Sequence, residues 1–110
     1  MTGSFDEREK AYEAKWAHDE ELRFRTISRR NRLLGVWAAE QMGLAGAAAD
    51  TYAKTLVELE VRGARDAELV AKIHTDLEAR KIALSEHLVS RKMEELLARA
   101  ADEIMREKGA

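Results

Sequence analysis

At 110 residues the chain holds one domain's worth of sequence, enough for a modest single core. Its 19 Lys and Arg against 21 Asp and Glu leave a net charge of −2, which argues against a protein built to coat nucleic acid. Cysteine is absent, which excludes disulfides, thiolate chemistry and cysteine-ligated metals, and proline is absent where average usage predicts about five, which moves the expectation to all-α.

Met1 to Ser4 form a short polar lead-in, and Ser4 followed by Glu7 has the spacing of a capping box. The residues from Asp6 onward are charged and lack an apolar stretch, so they do not read as a signal peptide. From Phe5 a helical pattern runs to about Met42, beginning FDEREKAYEAKWAHDEELRFR over Phe5 to Arg25. At about 100° per residue, Phe5, Tyr12 and Trp16 fall within about 40° of one another, a narrow aromatic seam. Asp6, Glu7, Glu9 and Glu13 against Arg8, Lys10 and Lys15 make the rest of that surface charged. Side-chain pairs at this spacing contribute only a few tenths of a kcal/mol each, so so short a helix is marginal on its own. Two readings stay open from the pattern: the seam packs on the body as the first turns of helix one, or it orders on entering a partner's groove. Ile27 and Leu34 continue the seam's face, whereas Arg23 interrupts it beside the His18–Glu21 cluster. The expected division is therefore an N-terminal segment over 1–19, partly flexible, and a helical body over 20–110.

Arg23, Arg25, Arg29, Arg30 and Arg32 follow with no acid among them, the sharpest nucleic-acid cue in the chain. Only Phe24 interleaves with them, and an acidic stretch precedes them. A face pairing with acids on neighbouring helices, or docking an acidic partner, is the better reading. Leu33, Leu34 and Trp37 supply the apolar face of helix one, and Gly43 ends it as a C-cap glycine. Gly43 to Gly46 has the GxxG form of an RNA-binding loop but no surrounding strands, and reads as a helix–helix turn. Leu44 to Ala49, the longest apolar run, is far too short to cross a bilayer. Helix two is expected over Ala47 to Arg62 with Gly63 ending it, and helix three over Ala67 to about Arg80 with Asp66 as N-cap. Ile82 and Leu84 tuck inward from the connector. Ser85 caps helix four, whose stripe is Val89, Met93, Leu96, Leu97, Ala100 and Ile104. Four amphipathic helices with short links predict an all-α, four-helix antiparallel bundle.

His18, His74 and His87 show no metal-ligand spacing, and Ser28, Ser85 and Ser90 have no evident triad partners. Carboxylates are too plentiful for any pair to stand out as an acid–base couple. The sequence marks no catalytic residue, metal site or cofactor, and an enzyme is disfavoured. Arg91 and Lys92 leave room for a secondary anion or partner contact, and weak nucleotide or anion binding stays open.

Three blocks together carry a family resemblance: FDEREKAYEAKWAHDEELRFR from Phe5, RRNRLLGVWAAEQMGL from Arg29 to Leu44, and SRKMEELL from Ser90 to Leu97. In this order and spacing they resemble the zeta-subunit family of alpha-proteobacterial F-type ATP synthases over nearly the whole chain. That resemblance implies a small four-helix inhibitor of ATP hydrolysis by the catalytic head of ATP synthase. It implies that the N-terminal segment is the inhibitory element, wedged at a catalytic subunit interface. The residues it points to are Phe5, Asp6, Glu7, Arg8, Glu9, Tyr12, Glu13, Lys15 and Trp16. The implied location is cytoplasmic, peripheral to the inner membrane through ATP synthase, with no membrane insertion. The runner-up reading is a helical adaptor or nucleic-acid-associated protein using Arg23 to Arg32.

Overall fold

The computed structural model describes residues 19–109. They form four helices: α1 Glu20–Gln41, α2 Gly46–Val61, α3 Asp66–Ala79 and α4 Glu86–Gly109. Helix α1 starts at a true cap. Asp19 holds a non-helical backbone, and its Oδ1 accepts the Leu22 N–H at 2.9 Å. Glu20 and Glu21 in the first turn favour the positive end of the helix. The expected continuous helical pattern through this point is thus interrupted at Asp19. The aromatic seam itself lies outside the described residues.

Three of the four helices end in one device, in which the last turn is closed by two backbone bonds around a left-handed residue. Gly43 donates to Glu40 O at 3.0 Å and Leu44 to Ala39 O at 2.9 Å, with Gly43 at φ +78°. The same pair recurs after α2 around Gly63. After α3 the left-handed position falls to Lys81 at φ 61°, with Lys81 donating to Glu78 O and Ile82 to Leu77 O, both at 2.9 Å. Each device carries an apolar residue just past the helix, and Leu44, Ala64 and Ile82 all pack on the core.

Helix α4 begins as expected, with Ser85 Oγ accepting the Leu88 N–H at 3.1 Å. Helix α3 does not. Asp66, expected as its N-cap, is the first helical residue, and Arg65 occupies the cap position. There the Arg65 N–H donates back to Glu68 Oε1 at 3.2 Å. With its backbone inside the helix, the Asp66 carboxylate is available to another partner, described below.

Side-chain contacts tie the helices to one another. Gly35 of α1 lies against Ala53 of α2, Tyr52 of α2 reaches Asp76 of α3, and Arg29 of α1 reaches Glu103 near the end of α4. With only a few residues linking each helix to the next, successive helices double back on one another, and the bundle is antiparallel. Leu34, Leu56, Leu69, Ile73, Leu77, Val89 and Ile104 are fully buried along its axis. Burial of each such side chain stabilises the fold by about 1.5–3 kcal/mol. Trp37, assigned to the core by its sequence position, sits at its edge, partly buried, with Lys92 Nζ 5.9 Å from its ring centroid.

The helices are not arranged evenly. Helix α1 packs along both α2 and α4, α3 closes against α4, and α2 and α4 do not approach each other. Helix α1 is therefore the central element, overlaid by α3 on one side and left open on the other.

Candidate functional site

The five arginines of α1 divide by where the helix turns them. Arg30 falls on the inner face and is 3% exposed, despite reading in the sequence as part of a solvated run. Its Nη2 and Nη1 donate to the Asp66 carboxylate at 2.7 and 3.2 Å, while Nε and Nη2 donate to Asn31 Oδ1 at 3.0 and 2.9 Å. A guanidinium can be buried only when its fork of donors is met in this way. Arg29 takes the next face and grips α4, with a two-pronged hold on Glu107 and a 3.4 Å contact to Glu103. The hydrogen bond from Arg29 holds the Glu107 carboxyl below the usual carboxylate range, and the same bond holds the Arg29 proton more firmly than usual. Arg25 adds a looser contact to Glu107 at 3.8 Å. Arg23 and Arg32 stand exposed.

Of the basic run, then, Arg29 and Arg30 are tied into the bundle by acids of α4 and α3, and Arg25 is drawn towards the first. The expected reading of this run as a face pairing with neighbouring acids holds for these three. The nucleic-acid reading loses its strongest cue, since phosphates would have to displace those carboxylates.

The open side of α1 forms a groove of about 630 Å³. Phe24, Arg25, Ser28, Arg29 and Arg32 make its floor, Asp50, Lys54 and Val57 of α2 one wall, and Ile104 belongs to α4. Phe24 of α1 is 54% exposed. The groove thus joins apolar patches to three arginines, one lysine and one aspartate. Spacing along the sequence did not reveal it, because it exists only where α2 and α4 stand apart. The one local signal was Phe24 lying off the inner face set by Leu22, Thr26 and Leu34.

Elsewhere the polar side chains serve the fold. The Tyr52 hydroxyl donates to Asp76 Oδ2 at 2.7 Å, and Lys72 Nζ donates to the same oxygen at 2.9 Å. Burial first, and then the bond to Asp76, push the Tyr52 phenol above its ordinary range. His74 Nδ1 lies 3.4 Å from Glu78 and 3.8 Å from Glu86, at the junction of α3 with α4. Lys92 is shared between the Trp37 ring and Glu95, and Arg91 is exposed. Among the described residues no cluster of three or more His, Asp or Glu side chains is placed to hold a metal. No described helix is long and apolar enough to cross a membrane.

The site residues expected from the sequence, Phe5, Asp6, Glu7, Arg8, Glu9, Tyr12, Glu13, Lys15 and Trp16, all lie outside the described residues. The described chain begins at the capped helix start of Asp19, which lies with Glu21, Leu22 and Arg25 near Glu107 of α4. The family model described as ATPase inhibitor subunit zeta matches residues 1–103 of the chain. No curated protein matches the chain.

Proposed function

This chain belongs to the ATPase inhibitor subunit zeta family, and we propose that it inhibits the F-type ATP synthase by inserting Phe5–Trp16 at a catalytic subunit interface. The match to an inhibitor family over residues 1–103, which spans both the segment and the bundle, is the observation that carries this reading. The protein does no chemistry in it. The aromatic seam of Phe5, Tyr12 and Trp16 enters a groove between catalytic subunits, and Asp6, Glu7, Arg8, Glu9, Glu13 and Lys15 pair with its rim. Burying three aromatic side chains supplies the apolar part of the affinity, and the charged rim supplies register. The four-helix body orients the segment. One obstructed interface is enough, because a rotary cycle requires every catalytic site to change shape in turn.

A polypeptide lacking Met1–His18 tests the assignment. It keeps Asp19, so the cap of α1 and the whole bundle remain. The expected result is unchanged helix content and melting, with no inhibition of ATP hydrolysis. Inhibition equal to that of the full chain would place the inhibitory surface on the bundle and overturn the reading.

A further inference from the structure

We propose that the groove over α1 is a second anchor for the catalytic head, gripping an acidic helix with an apolar face on the head's surface. The identity of the partner rests on the reading given above. Every contact on this side is made by the bundle itself.

Two kinds of unmet chemistry come together in the groove. Phe24 of α1 is 54% exposed, and Val61, one turn past the groove residue Val57 on the same face of α2, is 66% exposed. Gly35 lies against Ala53 and the two helices are antiparallel, so Val61 comes level with Ile27. The uncovered apolar side chains therefore gather towards the start of α1. Arg32 and Lys54 are also exposed, and neither pairs with an acid among the described residues. The same register puts Lys54 level with Leu34, so these two cations stand together further along the groove. Arg25 marks its other end, held only loosely to Glu107 at 3.8 Å.

That order specifies the occupant. Arg25 and Arg32 are separated by two turns of α1, a rise of about 10 Å. A partner helix lying along α1 meets them with acidic residues at the same two-turn spacing. Midway between those acids, one turn from each, an apolar side chain of the partner covers Phe24 and Val57. Asp50 lies one turn beyond Lys54, level with Ala38, outside this span, and repels an acidic run that continues past it. A phosphate or a nucleic-acid backbone satisfies the cations but leaves Phe24, Val57 and Val61 in water, so a protein helix is the better fit.

Full-length variants test the anchor by their binding to the purified head. Tyr12→Ala with Trp16→Ala disables the seam and isolates the groove; this variant is expected still to bind, more weakly as salt rises. Adding Arg32→Glu and Lys54→Glu, at exposed positions without ion pairs, should leave the melting curve unchanged and weaken that binding about tenfold or more. A benzophenone on Asp50→Cys, a unique label because the chain has no cysteine, should cross-link to an acidic helical stretch of the head. A seam variant that no longer binds, or whose binding ignores the charge reversal, overturns the anchor and leaves inhibition by the full chain standing. Cross-links to the chain's own N-terminal segment or to a second copy overturn it as well. A full chain that neither binds nor slows the head removes the functional reading, and the anchor with it.

Discussion

Arg30 is buried to 4% side-chain exposure while its partner Asp66 keeps 64%, so one ion pair joins the interior of α1 to the open first turn of α3. The asymmetry decides which partner is costly to lose. Asp66→Ala strands a buried guanidinium and is expected to destabilise the bundle by about 1.5–3 kcal/mol. Arg30→Met leaves an aspartate that water can solvate, and its penalty comes instead from the buried Asn31 carbonyl losing both donors. Once Arg30 is Met, adding Asp66→Ala should change stability by no more than about 0.5 kcal/mol. Urea melts of the two single variants and the double variant measure this coupling; simple additivity would refute it.

Gly35 lets α1 and α2 close. A Cβ there would lie 2.5 Å from Ala53 Cα and 3.2 Å from Leu56 Cδ1. The first clash is with backbone, which cannot rotate away, so Gly35→Ala is expected to destabilise by about 1–3 kcal/mol even though alanine favours helix. Trimming Leu56 should not rescue it. A thermal melt of Gly35→Ala equal to that of the parent would show that the helices move apart freely.

Lys81 holds the left-handed position that glycine fills at Gly43 and Gly63. Lys81→Gly removes the Cβ strain while keeping the two closing backbone bonds, and should stabilise the protein by about 0.5–1 kcal/mol. The midpoint of chemical unfolding measures this, with no change expected in its slope.

Glu107 and Tyr52 are shifted in opposite directions and give opposite pH dependences. The folded-state pKa of Glu107 lies below its ordinary value, so its contribution is present above the usual carboxylate range and is lost as pH falls through the folded value. The stability difference between the parent and Glu107→Gln should shrink towards zero in acid. Tyr52 is shifted upward, so its contribution is full below the ordinary phenol value of about 10 and declines as pH rises above it. Tyr52→Phe should flatten the alkaline limb of the stability curve. Parallel curves for parent and variant would show that neither side chain is linked to folding.

Much of the architecture could be read from the chain because its signals are local. Gly43 and Gly63 close α1 and α2, Ser85 opens α4, and the Leu69, Val70, Ile73 and Leu77 stripe of α3 and the Val89, Met93, Leu96 and Ile104 stripe of α4 are buried as expected. What was misread depended on a partner distant in sequence. Arg30 looked like one more surface arginine because Asp66, 36 residues away, was needed to bury it. Asp66 looked like a cap for the reciprocal reason. The groove belongs to no single stretch, since it comes from two helices that fail to meet across a third. The proposed inhibitory segment was visible only as an aromatic seam and a family likeness, and it lies outside the described residues.

The decisive measurement is ATP hydrolysis by the purified catalytic head of an F-type ATP synthase, titrated with the full chain and with its Tyr12→Ala, Trp16→Ala variant. The full chain should lower the rate to a saturating floor, and the variant, with an unchanged melting curve, should leave the rate near its starting value. An unaffected rate in excess full chain, or equal inhibition by both polypeptides, would contradict the role assigned to the seam.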